Sequence, residues 1–202
     1  MHSGGASARE ELHFLANHNL TLRAKAPPLC KYVFAERGFF IAILIFLSSM
    51  TYSIVQKSLL EETRGIIVHG ANAQGVMGAG FAKALCDKYP QVRTDYLGVF
   101  KKNTPNRVHL GQSIFTQLSP ELLVVTGVTQ KHYGHSAFYV YVDYHAIQMV
   151  FEEVNKVALR TGLPVLFPLI GCGLAGGHWP TVHDIIVKAL DPSVEASLFV
   201  PR

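Results

Sequence analysis

The chain has 202 residues, 49% of them hydrophobic and 16% charged, with eighteen Lys and Arg against fourteen Asp and Glu. A charged share below the usual ~25% and a positive mean hydropathy exclude a disordered or acidic-tail protein, and the length suits one ordinary domain plus an extension. The net charge of +4 is scattered without any Lys/Arg block, so it reads as solvated surface rather than as a nucleic-acid footprint.

The first fifty residues differ from the rest. Residues 39–47, Phe39 to Leu47, form an unbroken apolar run of nine. A spanning helix needs roughly 20 such residues, and Glu36 and Arg37 stop the run from extending backwards. The length suits a signal-peptide core behind the basic residues Lys25, Lys31 and Arg37, yet no small-x-small cleavage site follows. Residues 1–28 have no clear periodicity and end in Pro27-Pro28. Three readings of residues 1–49 stay open: an upstream extension from a misassigned start with Met50 as initiator, a membrane-associating leader, or a real added element. The domain division expected is therefore 1–49 and 50–202.

From Met50 onward the pattern alternates. Residues 52–56 predict a short strand, and the β-branched run 65–69, closed by Gly70, predicts a buried parallel strand. In the next segment Phe81, Ala84 and Leu85 share one side of a helix, with Lys83, Asp87 and Lys88 opposite and Tyr89-Pro90 ending it. Residues 92–100 predict a second helix, and residues 113–117 and 122–126 predict strands around the Ser119-Pro120 turn. Asp143 is placed as the N-cap of a long helix whose Ile147, Val150, Phe151, Val154 and Ala158 recur at helical spacing, with Gly162 as its stop. Residues 163–170 predict a strand shortened by Pro164 and Pro168, 179–190 a helix beginning beside Pro180, and 196–200 a final strand. This alternation implies a three-layer α/β domain.

Chemistry is concentrated in two glycine loops. The first runs over residues 69–80 from the end of one strand to the start of a helix, and the second over residues 170–179 does the same later. Glycines let a backbone approach a ligand closely, and free N–H groups at a helix start attract phosphate. In open α/β sheets ligands gather at the carboxyl ends of strands, so the two loops imply one pocket for more than one phosphate. Gly171, Gly173 and Gly176 also fit G-x-G-x-x-G, but only one helix and one strand follow, which excludes a Rossmann nicotinamide site. No Gly-x-x-x-x-Gly-Lys-Ser/Thr is present, which excludes P-loop phosphoryl transfer.

The stretch from Ile67 through His69, Asn72, Gly75, Gly78 and Gly80 to Ala82, with the second loop from Ile170 to Gly177, resembles the macro domain family. The resemblance covers residues 50–202 and is to the phage and yeast ADP-ribose-1''-phosphate phosphatase branch; residues 126–130 and 144–147 share it. It implies an α/β/α three-layer domain around a mixed, mostly parallel sheet. It implies binding of ADP-ribose, or of a phosphorylated or protein-linked derivative, and hydrolysis of ADP-ribose-1''-phosphate to ADP-ribose and phosphate. The enzyme expected is a phosphoric monoester hydrolase without cofactor or metal; the alternatives are a non-catalytic ADP-ribose-binding module and a de-ADP-ribosylating hydrolase.

By the same resemblance, Asn72 hydrogen-bonds the distal ribose hydroxyls, and His69 is the catalytic base or proton relay, which suits a side chain titrating near neutrality. Gly75, Gly78, Ala79 and Gly80 in the first loop, and Gly171, Cys172, Gly173, Leu174, Ala175 and Gly176 in the second, bind the ligand. No nucleic acid is expected as partner, and a membrane only if residues 39–47 are a leader. Three departures stand out. Lys57-Ser58 replaces the Gly-Asp with which many macro domains read adenine, Ala175 replaces the Asp of glutamate-linked hydrolases, and His178 stands where an acidic or amide residue is common. Lys131 lies one position after the nucleophilic lysine of a relative and is given no role.

Other candidates read as structural. Tyr139, Tyr141 and Tyr144 pack rather than stack on adenine, and Cys172 is a small apolar group under its loop rather than a nucleophile. Cys30, Cys86 and Cys172 are odd in number and lack ligand spacing, which fits a reducing, cytoplasmic setting.

Overall fold

The computed structural model describes residues 52–101, 108–134 and 138–201. The expected extension and its apolar run lie outside the described residues. Among the described residues no helix is long and apolar enough to cross a membrane.

Six strands form one sheet: β1 (Ser53–Val55), β2 (Gly65–Asn72), β3 (Ser113–Ser119), β4 (Leu122–Gln130), β5 (Val165–Phe167) and β6 (Ala196–Phe199). Their order is β1-β6-β5-β2-β4-β3, parallel throughout except for β3, which returns antiparallel to β4 from the Pro120 turn. Among the described residues four helices cover it: α1 (Gly80–Lys88), α2 (Pro90–Lys101), α3 (Tyr144–Thr161) and α4 (Trp179–Ala189). The mixed, mostly parallel α/β architecture expected is the one observed.

Strand alternation divides the core in two. Ile66 and Val68 of β2 join Val125 of β4 and Phe167 of β5 beneath Ile147, Val150, Phe151 and Val154 of α3 and Val182 and Ile186 of α4. Ile67 and Ala71 face the other way, joining Val124 and Val128 beneath Leu85 of α1 and Val92 and Tyr96 of α2. Burial on both faces explains why β2 and β4 read as continuous apolar runs. α3 owes its length to clean ends: the Asp143 carboxylate accepts from Ala146 N–H at 2.8 Å, and Gly162 is its C-cap.

Some elements differ from the sequence expectation. The strand expected over 163–170 shrinks to three residues, because Pro164 and Pro168 bring no N–H to a ladder. Instead Pro164 offers its carbonyl to Ile66 N–H at 2.8 Å. β2 and β4 run further, to Asn72 and Gln130, so the first loop's opening residues are still strand. α2 begins at Pro90, where a missing N–H costs nothing. A 3-10 turn at Leu59–Glu61, capped by the Ser58 hydroxyl, was not foreseen.

Candidate functional site

The two glycine loops leave the carboxyl ends of β2 and β5, which are hydrogen-bonded neighbours in the sheet. The first begins at a bulge: Asn72 pairs with Gln130 rather than Thr129, and Ala73 N–H donates to the Gln130 carbonyl at 2.9 Å. The buried Asn72 then folds the loop around its own side chain. Its Oδ1 accepts from Gln74 N–H at 2.9 Å and Val76 N–H at 3.2 Å, and its Nδ2 donates to the Val76 carbonyl at 2.5 Å. This Asx arrangement leaves one Nδ2 hydrogen unspent. Arg93 of α2 donates to the Met77 carbonyl at 3.0 Å from below the loop.

The second loop turns on Gly171, whose φ of +74° only glycine adopts readily, and where a Cβ would lie 2.6 Å from Val142 Cγ2. Gly177 N–H donates to the Gly171 carbonyl at 2.8 Å and Gly176 N–H to that of Gly173 at 3.0 Å, closing the loop on itself. His178 N–H donates to the Tyr144 hydroxyl at 2.9 Å, which anchors the loop's end to α3. The stretch after β4 fastens to both loops, since Tyr133 N–H donates to Gln74 Oε1 at 3.2 Å and Tyr141 N–H to the Ala175 carbonyl at 2.8 Å.

The helices that open from these loops differ from α3 in one respect. Neither Ala79, the N-cap of α1, nor His178, the N-cap of α4, caps its helix with a side chain. Among the described residues, no protein acceptor takes the N–H groups of Met77, Gly78 and Ala79 in the first loop, or of Gly173, Leu174 and Ala175 in the second. Exposed donors at helix starts carry partial positive charge, and anions are their natural acceptors.

His69 sits apart from this surface. It is 1% exposed, on the face covered by α1, with its ring edge-on to Phe81 at 6.1 Å between centroids. Nε2 hydrogen-bonds Thr126 Oγ1 at 2.8 Å, while the buried Nδ1 has no partner. Burial pushes the imidazole down to about 4, with the Gly70 backbone opposing it only in part, so the ring is neutral at physiological pH. A base must reach the water it activates, and this imidazole lies under the strand end. The structure thus brings Asn72 and both sets of loop amides to one edge of the sheet and leaves His69 beneath it.

The remaining candidates fall around this edge. Cys172 is half-buried, donates weakly to the Ile170 carbonyl, and has its thiol pushed up to about 12 by burial. Lys131 is exposed just past Gln130. Tyr139 packs edge-on against Tyr141 at 4.7 Å. Lys57 pairs with Glu62 at 2.6 Å, and the Ser58 hydroxyl accepts from Leu60 N–H at 3.3 Å. Among the described residues no cluster of three or more His, Cys, Asp or Glu is placed to hold a metal. Sequence reasoning missed Tyr96, whose hydroxyl meets Asn72 and Gly75 from α2; its buried position on a helix facing the loop was the available signal.

A six-stranded, mostly parallel sheet with two anion-ready glycine loops at its carboxyl edge defines a macrodomain fold. A macrodomain protein from Streptomyces coelicolor superposes with a TM-score of 0.63 at 26% identity, over 74% of this chain and 98% of that one. The macrodomain of Mycobacterium tuberculosis DarG gives a TM-score of 0.58 at 25% identity, over 75% and 99%. Among curated proteins, the DNA ADP-ribosyl glycohydrolase of Mycobacterium tuberculosis is 27% identical over 150 residues, 71% of this chain and 40% of that protein. The chain therefore spans about 40% of the length of the curated relatives it matches. No family model matches the chain. Sequence and structure together support the macro domain family.

Proposed function

We propose that the chain binds ADP-ribose derivatives along the carboxyl edge of its sheet, with the diphosphate on the free loop amides and the distal ribose beside Asn72. The observation that carries this reading is the pair of uncapped helix starts, α1 and α4, each reached through loop residues whose N–H groups have no protein acceptor. The unspent Nδ2 hydrogen of Asn72 supplies a donor to a ribose hydroxyl. At the adenine end the Ser58 hydroxyl, already accepting from Leu60, is a weaker acceptor for the base's amine than the carboxylate common in the family.

The reaction class is hydrolysis at the 1'' position of the distal ribose, with two routes to separate. Water attacking phosphorus breaks the P–O bond and leaves the 1''-hydroxyl on ADP-ribose, whereas water attacking C1'' breaks the glycosidic bond to a base. ADP-ribose-1''-phosphate was the expectation from sequence, with His69 as base; the burial of His69 counts against that route. Similarity to DNA ADP-ribosyl glycohydrolases favours release of ADP-ribose from DNA. In either case catalysis rests on positioning and electrostatics at the two loops. The domain boundary near Met50 and a cytoplasmic setting, consistent with the free thiols of Cys86 and Cys172, belong to the same proposal.

The test is calorimetry of the full chain with ADP-ribose, followed by incubation with ADP-ribose-1''-phosphate and with an ADP-ribosylated oligonucleotide. Micromolar binding and release of free ADP-ribose from the oligonucleotide are expected. Phosphate release would instead select the phosphatase. Binding without turnover would leave a recognition module, and no binding would overturn the reading.

A further inference from the structure

We infer that Tyr96 is a positioning residue for the ADP-ribose site, its hydroxyl holding the first glycine loop and the Asn72 side chain in the binding shape; this rests on the reading above. Tyr96 projects from α2 into the core, fully buried, with its ring edge-on to Phe100 at 5.1 Å. A phenylalanine would fill that space equally well. The hydroxyl goes further: it donates to the Asn72 carbonyl at 2.6 Å and accepts from Gly75 N–H at 3.1 Å. It also lies 3.2 Å from Asn72 Oδ1, the atom that gathers the Gln74 and Val76 N–H groups.

One oxygen from a rigid helix thus joins the end of β2, the left-handed turn at Gly75 (φ +78°) and the side-chain amide that faces the ribose. Gly75 closes over Leu97 and Phe100 of the same helix, so α2 supports the loop by packing while Tyr96 fixes its hydrogen bonds. Without the hydroxyl, a buried carbonyl and an amide lose their partner. The loop then spends part of its time in other shapes, and apparent affinity falls by the fraction lost. Tyr96 does not touch the ligand in this scheme; it acts through Asn72 and Gly75.

Tyr96→Phe in the full chain is the direct test, read by ADP-ribose calorimetry and by amide exchange in NMR. The expected result is an affinity about tenfold weaker, a shift of the Asn72 side-chain amide resonances, and a Gly75 amide that exchanges at least about tenfold faster. An unchanged dissociation constant or unchanged Gly75 exchange overturns the inference. Should Tyr96→Phe fail to fold, the unaltered chain still decides: the Gly75 amide is expected to exchange more slowly than that of Gly78, and equal rates overturn it. If ADP-ribose binds neither protein, the functional reading fails while the Gly75 comparison still judges the role of Tyr96 in holding the loop.

Discussion

His69 and Thr126 face each other across β2 and β4, register partners joined by a 2.8 Å hydrogen bond within a wholly buried layer. Burial in that layer keeps the imidazole neutral and makes it a source of pH-dependent stability. Its folded value of about 4 lies below the ordinary 6.5, so the unfolded chain binds the extra proton between those limits. The stabilising contribution is complete above pH 6.5 and is lost as pH falls toward 4, at roughly 1 kcal/mol per pH unit. Urea melts at pH 7 and pH 5 are expected to show a smaller acid loss for His69→Gln than for the parent chain. Equal losses would show that this ring is not the titrating group.

The second loop offers a contrast between neighbouring glycines. Gly171→Ala forces a positive φ on an L residue and drives a methyl group to 2.6 Å from Val142, so a loss of about 1–3 kcal/mol is expected. Gly173→Ala meets nothing within 4 Å, and its stability should stay within about 0.5 kcal/mol of the parent. Thermal melts of the two variants, side by side, check the difference.

Cys172 is expected to behave as an inert thiol. Its value near 12 leaves almost no thiolate at pH 8, and among the described residues no base stands in hydrogen-bond contact with it. Peptide mapping after iodoacetamide treatment should find Cys172 largely unmodified in the folded chain and fully modified in denaturant. Rapid labelling of the folded chain would restore it as a candidate nucleophile.

Arg93 supports the first loop through the Met77 carbonyl and lacks a carboxylate partner among the described residues. Its charge remains available to a bound diphosphate near that loop. Arg93→Ala is expected to weaken ADP-ribose binding about three- to tenfold, with the effect shrinking as salt is raised. A salt-independent loss would assign the residue a purely structural part.

The glycine loops were legible in sequence because strand-to-helix turns announce themselves in composition, and Asn72 stood out inside the first one. The unbroken β-branched run through Ile66, Ile67 and Val68 marked a buried parallel strand, and the structure shows its side chains dividing between two core clusters. The short β5 was harder to bound, since Leu163 to Ile170 is apolar throughout and only the ladder reveals where Pro164 and Pro168 interrupt it. His69 was hard to place for a related reason. A histidine at a strand end reads as accessible chemistry, but Gly70 to Asn72 extend the strand past it, beneath α1. Tyr96 was harder to find, because helical spacing marks it as a buried position while its hydroxyl's partners lie more than twenty residues away.

The stretch between Gln130 and Val142 is bonded to Gln74 near its start and to Ala175 near its finish. Among its described residues, Tyr133 thus ties to the first loop and Tyr141 to the second. Each loop is therefore held partly from outside itself, the first through the Gln74 side chain and the second through the Ala175 carbonyl. If these contacts set selectivity, Gln74→Ala is expected to change which ADP-ribose derivative binds best while leaving the loop amides in place, as competition calorimetry would show.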